Sequence, residues 1–134
     1  MYSFTAKAVE VLNALNMVTG VTIDSEGFNV TQNISRVEFL INYTPGTETN
    51  VLVELKRYDA VTGTWFVYSG VNYYGSTAVL EKGFLLDPIS VSGGNDKYLL
   101  GIDNLSEGLY MLSVTPSGAV AVCDVQILVK MEEK

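Results

Sequence analysis

Apolar and polar residues alternate along most of this chain. The clearest run lies near the C-terminus, where the apolar positions of one parity are Ala119, Ala121, Cys123, Val125, Ile127 and Val129. A period of two is typical of a β-strand with one buried face. The same alternation occurs in the segments ISRVEFLINYT and NVLVELK, and residues 97–102 and 109–114 are further candidates. We therefore predict an all-β fold, an antiparallel β-sandwich or jelly roll of about eight strands in a single domain.

Turn residues between these segments predict which strands are neighbours. The TPGTETN connection joins the first two alternating segments, and we expect it to close a hairpin. The sequence DAVTGT leads into the strand-forming segment WFVY, which predicts a second hairpin and hence a meander of three strands. Residues 6–17 fit neither a clean helix nor a clean strand, and we expect them to be extended.

The length of 134 residues corresponds to one domain. We therefore treat residues 1–134 as a single β-sandwich, with residues 1–17 as a candidate extended arm. Hydrophobic residues make up 48% of the chain and charged residues 17%, which excludes intrinsic disorder and lies slightly on the apolar side for a soluble domain. We expect the surplus apolar surface to contact a partner protein.

Charge and missing residue types exclude several functions. Fifteen acidic and eight basic residues give a net charge of −7, which opposes binding to nucleic acid or to an anionic membrane. The chain has no histidine, so histidine-based triads are excluded. Its one cysteine, Cys123, cannot form an internal disulfide, and we expect it to be buried. We predict no enzymatic activity, no catalytic residues, no cofactor and no metal.

Two groups of carboxylates are the only candidates for a cation site. One is Asp24 with Glu26, and the other is Asp96 with Asp103 and Glu107. Neither group has the fixed spacing of a calcium-binding loop. Each lies in a predicted turn, where acidic side chains bond the local backbone, so we interpret them as turn residues.

A cluster of aromatic residues is the strongest candidate for a binding surface. Its members are Tyr58, Trp65, Phe66, Tyr68, Tyr73 and Tyr74. In a strand, Trp65 and Val67 share one face while Phe66 and Tyr68 share the other, so at most half of the cluster can be exposed together. We interpret one set as core and the other as the border of an intersubunit contact. A sugar-stacking platform is the alternative.

Residues 70–88 are rich in large apolar side chains but lack a long regular alternation. Such a segment is typical of a loop that lies across a neighbouring molecule and contributes anchors to an interface. A strand buried in the core of its own molecule would have a similar sequence. Both interpretations stay open at this point.

The order of the segments along residues 37–68 carries a family resemblance. The strand ISRVEFLINYT is followed by PGTET, by NVLVELKRYDAVTGTW with its continuation FVYSG, and later by GLYMLSVTPSG before a terminal strand. This order resembles the small β-sandwich virion proteins of tailed bacteriophages. The family's usual Asp-Gly-Thr-Asn-Trp turn is replaced here by a longer loop that keeps Asp59, Gly63 and Trp65 at a different spacing.

The resemblance implies a non-enzymatic structural component of a phage virion. We expect a capsid decoration (auxiliary, or cement) protein on the capsid exterior, made in the host cytoplasm. It would bind the major capsid protein or another virion protein, and it would form a homo-oligomer without contacting nucleic acid or membrane. A tail or neck protein and a carbohydrate- or receptor-binding module are the alternatives. The candidate interface residues are Trp65, Phe66, Tyr68, Tyr73, Tyr74, Phe84 and Leu85.

Overall fold

The computed structural model describes residues 7–68, 70–74, 77–81, 83–118 and 122–134, with backbone alone for residues 70–74 and 77–81. Every regular element in these ranges is a β-strand. The strands are β1 (Ala8–Val18), β2 (Ile23–Asp24), β3 (Phe28–Val30), β4 (Ile34–Thr44), β5 (Glu48–Asp59), β6 (Thr64–Val67), β7 (Gly70–Tyr74), β8 (Thr77–Glu81), β9 (Phe84–Leu86), β10 (Asp96–Asp103), β11 (Gly108–Gly118) and β12 (Val122–Glu133). No helix long and apolar enough to cross a membrane occurs in these ranges.

Two antiparallel sheets enclose the core. Sheet A has the strand order β1-β12-β4-β10. Sheet B has the order β2-β11-β5-β6, with β3 also pairing with β11 and β9 also pairing with β5. Alternate side chains of the long strands point inward, among them Phe39 and Ile127 from sheet A and Val53 and Leu112 from sheet B. The predicted antiparallel β-sandwich is confirmed.

The predicted hairpin between the first two alternating segments is wrong. β4 lies in sheet A and β5 lies in sheet B, so residues 45–47 carry the chain from one sheet to the other. A β-carbon on Gly46 would lie 2.2 Å from the main-chain oxygen of Val122, so the crossing passes too close to β12 for any side chain. Alternation identifies the buried face of a strand but not its neighbour, which is why the sequence pattern suggested a hairpin.

The second predicted hairpin is present. β5 and β6 pair with Tyr58 opposite Trp65 and Asp59 opposite Thr64. The three-stranded meander is nevertheless wrong, because β4 does not pair with β5. The neighbour of β5 on its other side is β11, and their pairing extends to Gly118 opposite Glu48. β5 therefore begins in sheet B at the same end where β11 finishes.

The N-terminal segment is extended, as predicted, from Ala8 to Val18. β1 pairs with β12 and carries two register shifts, between Glu10 and Leu12 and between Ala14 and Met17. The N–H of Asn16, which has a φ of 55°, donates to Oδ1 of Asp124 at 2.8 Å. Residues 1–6 lie outside the described part of the structure, and an arm formed by residues 1–17 stays a prediction.

Candidate interaction surface

Exposed apolar side chains gather where β5 meets β6. We call Tyr58, Trp65, Phe66, Val67 and Tyr68 the aromatic edge. Phe66 is 54% exposed and Tyr68 is 38% exposed, while Trp65 is half-buried. Among the described residues β6 pairs with β5 alone, so the side chains of Trp65, Phe66 and Val67 have sheet neighbours on one side only. Three of the predicted interface residues therefore lie together in space.

Alternation correctly places Tyr58 and Trp65 on one face of the aromatic edge and Phe66 and Tyr68 on the other, but neither set is core, because Tyr58, Phe66 and Tyr68 are all exposed. On the outer face, the rings of Tyr58 and Trp65 meet edge to face with their centroids 5.2 Å apart. On the opposite face, Phe66 lies across from Arg57, and Tyr68 meets the buried ring of Tyr110 at 5.9 Å. The Arg57 guanidinium lies 6.0 Å from the centre of the Tyr110 ring. The buried Tyr110 ring therefore contacts both exposed side chains, Arg57 and Tyr68.

A shallow pocket of about 480 Å³ follows the aromatic edge. It is lined by Arg57, Tyr58, Asp59, Ala60, Phe66, Val67 and Tyr68. Its two charged side chains have partners within the chain. Arg57 donates from Nη2 to the main-chain oxygen of Glu107 at 2.6 Å, and Oδ2 of Asp59 accepts from the Thr62 hydroxyl at 2.8 Å. The charged side chains of Arg57 and Asp59 are therefore already engaged within the chain.

The tight turn that precedes β6 explains the position of Asp59. Its carboxylate accepts hydrogen bonds from the Thr62 hydroxyl and from the Thr62 N–H at 3.1 Å, and these bonds hold the pKa of Asp59 below its ordinary value. The N–H of Gly63, which has a φ of +69°, donates to the Asp59 main-chain oxygen. The loop is thus a side-chain-capped turn that presents Trp65 at a fixed position.

The remaining predicted interface residues occupy two different places. Phe84 packs partly against the core, opposite Val53, whereas Leu85 is 52% exposed on the outer face, opposite Leu52. β9 and β6 both pair with β5, so Leu85 lies along the same edge of β5 as the aromatic edge. Tyr73 and Tyr74 belong to β7, but their side chains lie outside the described residues.

Residues 70–88 contain more regular structure than their sequence indicates. β7 and β8 pair in a two-stranded sheet of their own, with Gly70 opposite Glu81 and Tyr74 opposite Thr77. β9 then pairs with β5 in sheet B. The chain therefore leaves the edge of sheet B after β6, forms a separate hairpin and returns to the same edge. A lone two-stranded hairpin is marginal in water unless it packs against something else.

The carboxylates considered as cation ligands are separated. Asp96 and Asp103 lie at opposite ends of β10, about 23 Å apart at the rise of an extended strand. Asp96 is buried and accepts from the Ile89 and Ser90 N–H groups and the Ser90 hydroxyl, which lower its pKa, with the hydroxyl as the main cause. Asp24 accepts from the Ser113 hydroxyl at 2.6 Å. Within the described ranges, no cluster of three potential metal ligands occurs.

A buried carboxylate at the crossing between the sheets was missed from the sequence. Glu48 is 5% exposed and accepts a hydrogen bond from the hydroxyl of the fully buried Tyr43, while the Gly46 N–H donates to its Oε1 at 2.9 Å. Burial is the main cause that raises the pKa of the Tyr43 hydroxyl, followed by the bond to Glu48. A glutamate two residues after a Pro-Gly pair was the available signal, but it also fits an exposed turn.

Cys123 lies beside this crossing and is buried, as expected. Burial raises the pKa of its thiol to about 12, with a smaller contribution from Glu48. A thiol with this pKa is almost fully protonated at neutral pH and is a poor nucleophile. Cys123 therefore acts as a small apolar side chain of the core.

Comparison with known proteins adds no relative. No family model matches the chain, and no curated protein matches it. The resemblance to phage virion proteins accordingly depends on the sequence pattern described above, and any function must be argued from the surface of this molecule.

Proposed function

We propose that this chain is a non-enzymatic structural component of a phage virion, a capsid decoration protein that binds the major capsid protein. The aromatic edge is the observation that supports this proposal. Half-exposed Phe and Tyr side chains at the border of a sheet are typical anchors of protein interfaces. Leu85 continues the same edge of β5, so the contact would extend beyond the pocket.

The arrangement of the fold also suits a protein of this kind. The core is continuous from sheet A to sheet B, and the turn at Asp59 fixes the position of the aromatic edge from within the chain. A rigid surface loses little conformational entropy on binding, which favours tight attachment to a shell. The net charge of −7 suits a place on the capsid exterior, away from the packaged genome.

A binding experiment with assembled shells tests the proposal. Purified protein is mixed with shells assembled from the major capsid protein that the same genome encodes, and the bound fraction is measured by co-sedimentation. We expect saturable binding that Phe66→Ala weakens by at least about tenfold, because Phe66 is an exposed aromatic anchor. Leu15→Ala is the matched control, since Leu15 is 63% exposed on β1 of the other sheet.

Failure of the wild-type protein to bind these shells would contradict a decoration function. Binding to a purified tail or neck protein of the same phage, with loss in Phe66→Ala, would instead place the domain there. Equal binding by the wild type and Phe66→Ala would exclude the aromatic edge as the contact surface.

A carbohydrate-binding module is the second candidate, supported by the pocket beside Trp65 and Tyr58. Sugar rings stack best on a flat exposed ring, whereas these two rings meet at an interplanar angle of 61°. The charged side chains of the pocket, Arg57 and Asp59, are also engaged within the chain. Glycan binding that Trp65→Ala abolishes without loss of folding would favour this candidate over the first.

A further inference from the structure

The edges of an open sheet carry main-chain N–H and C=O groups that can pair with another chain, and proteins usually protect them. Sheets A and B have four borders among the described residues, and three of them are short or irregular. β1 has two register shifts, β2 and β3 have two and three residues, and β6 and β9 have four and three. Short strands and irregular pairing are common forms of protection.

The fourth border, β10, has neither form of protection. It spans eight residues, contains no proline, and pairs with β4 in one continuous register. Among the described residues, no strand pairs with its other side. Leu99 is 62% exposed on the outer face, while Tyr98, Leu100 and Ile102 pack against the core and remain half-buried. A long regular edge with apolar side chains favours pairing with another strand.

The sequence of β10, DKYLLGID, is complementary to itself. We propose that β10 pairs antiparallel with β10 of a second copy, about a two-fold axis at Leu100. Lys97 of each copy then lies opposite Asp103 of the other, and Leu100 lies opposite Leu100. Tyr98 meets Ile102 on the inner face, and Leu99 meets Gly101 on the outer face. Opposite charges and apolar groups are thus matched at every pair from 97 to 103.

Neighbouring registers are less favourable. A shift of one residue would turn inner side chains of one copy toward outer side chains of the other. A shift of two in one direction places Lys97 opposite Gly101 and Asp96 opposite Ile102. A shift of two in the other direction places Leu99 opposite Asp103. The proposed register alone forms two ion pairs, and it adds about six to eight main-chain hydrogen bonds across the axis.

The surroundings of β10 leave room for these contacts. The Asp103 side chain is 67% exposed although its Oδ1 accepts from Arg36 at 2.9 Å, so a second cation can approach it. The Arg36 guanidinium covers Gly101, where a β-carbon would lie 1.9 Å from Nη2. Leu99 of the second copy would therefore contact the flat face of Arg36. The pairing does not depend on the virion function proposed above.

Two charge reversals and their mixture test the register. Lys97→Glu and Asp103→Lys each place like charges opposite each other in a symmetric dimer. In a mixed dimer of the two variants, the introduced carboxylate at position 97 faces the introduced ammonium at position 103, and the unchanged pair also attracts. Dimer dissociation constants are measured by sedimentation equilibrium for each variant and for the equimolar mixture.

We expect a wild-type dimer, a dissociation constant raised at least about tenfold in each single variant, and a mixed dimer close to wild type in affinity. Lys7→Glu is the matched control for Lys97→Glu, because it makes the same charge change at the residue that precedes β1. It should leave the dissociation constant unchanged. Hydrogen exchange should show added protection of alternate β10 amides on dimerisation. A wild-type protein that stays monomeric up to about 1 mM overturns the proposal, as does a mixture no tighter than the single variants.

Discussion

Tyr43→Phe tests whether the buried carboxylate holds the crossing between the sheets. Glu48 is almost fully buried at this crossing, and its partners are the Tyr43 hydroxyl and the Gly46 N–H. Removing the hydroxyl takes one donor away from a buried carboxylate while preserving the aromatic ring. Because hydrogen bonds to charged groups contribute about 1.5–3 kcal/mol, we expect the unfolding free energy to fall by that amount.

Urea unfolding at pH 7, followed by the fluorescence of Trp65, measures this change. Tyr98→Phe is the matched control, because the Tyr98 hydroxyl donates to the neutral main-chain oxygen of Asp87 at a more exposed position. Its loss should cost about 0.5–1.5 kcal/mol. The Glu48→Gln background extends the test. There Tyr43→Phe should also cost only about 0.5–1.5 kcal/mol, since its partner is neutral.

Two results would refute this reasoning. Equal destabilisation by Tyr43→Phe and Tyr98→Phe would show that the charge of Glu48 adds nothing to the bond. Additivity of Tyr43→Phe and Glu48→Gln within about 0.5 kcal/mol would show that the two side chains are not coupled.

Three further predictions concern single residues. Asp96→Asn should lower the unfolding free energy at pH 7, because hydrogen bonds from Ser90 and Ile89 hold the pKa of Asp96 below its ordinary value of 3.8. The stability that the Asp96 carboxylate contributes is lost as pH falls through its pKa in the folded state. Urea unfolding should therefore give the same unfolding free energy for Asp96→Asn and the wild type in acid, and a difference that stays constant with pH would contradict this prediction. Cys123 should react with a thiol reagent at pH 8 only after unfolding, since its pKa is raised to about 12 and its side chain is 3% exposed; rapid native labelling would be evidence against this. Gly46→Ala should destabilise the fold by about 1–3 kcal/mol because of the contact with Val122. Gly27→Ala should cost less in the same unfolding assay, because its β-carbon would approach the Leu109 side chain to 3.2 Å and the Tyr110 main-chain oxygen only to 3.7 Å.

The sequence predicts the faces of the strands better than their neighbours. Alternation in β4, β5 and β12 marks the buried side chains correctly, because burial of one face determines the pattern. β5 crosses to the other sheet instead of folding back on β4, and the crossing brings Gly46 close to Val122, which lies 76 positions away and so leaves no local pattern. Local turn chemistry was sufficient for the β5–β6 hairpin because Asp59 closes that turn through Thr62.

The candidate surface was predictable in part for the same reason. Alternation separated Trp65 from Phe66 and Tyr68, and the structure places the two sets on opposite faces. It did not indicate that Phe84 would turn toward the core while Leu85 stays exposed, since a three-residue strand is too short to show a period. The free edge of β10 was also hidden, because an edge is a property of sheet order and not of the strand's own sequence.

The net charge of −7 makes Asp103→Lys the decisive variant for self-association. If only the overall charge of the molecule governed association, Asp103→Lys would lower the repulsion between copies by taking the net charge to −5, and its dimer would be tighter. Lys97→Glu would take the net charge to −9 and weaken the dimer. Pairing in the proposed register predicts that both variants weaken it, because each opposes like charges at two positions across the axis. If Asp103→Lys weakens the dimer and mixing it with Lys97→Glu restores the affinity, then local pairing at β10, and not the net charge of the molecule, governs association.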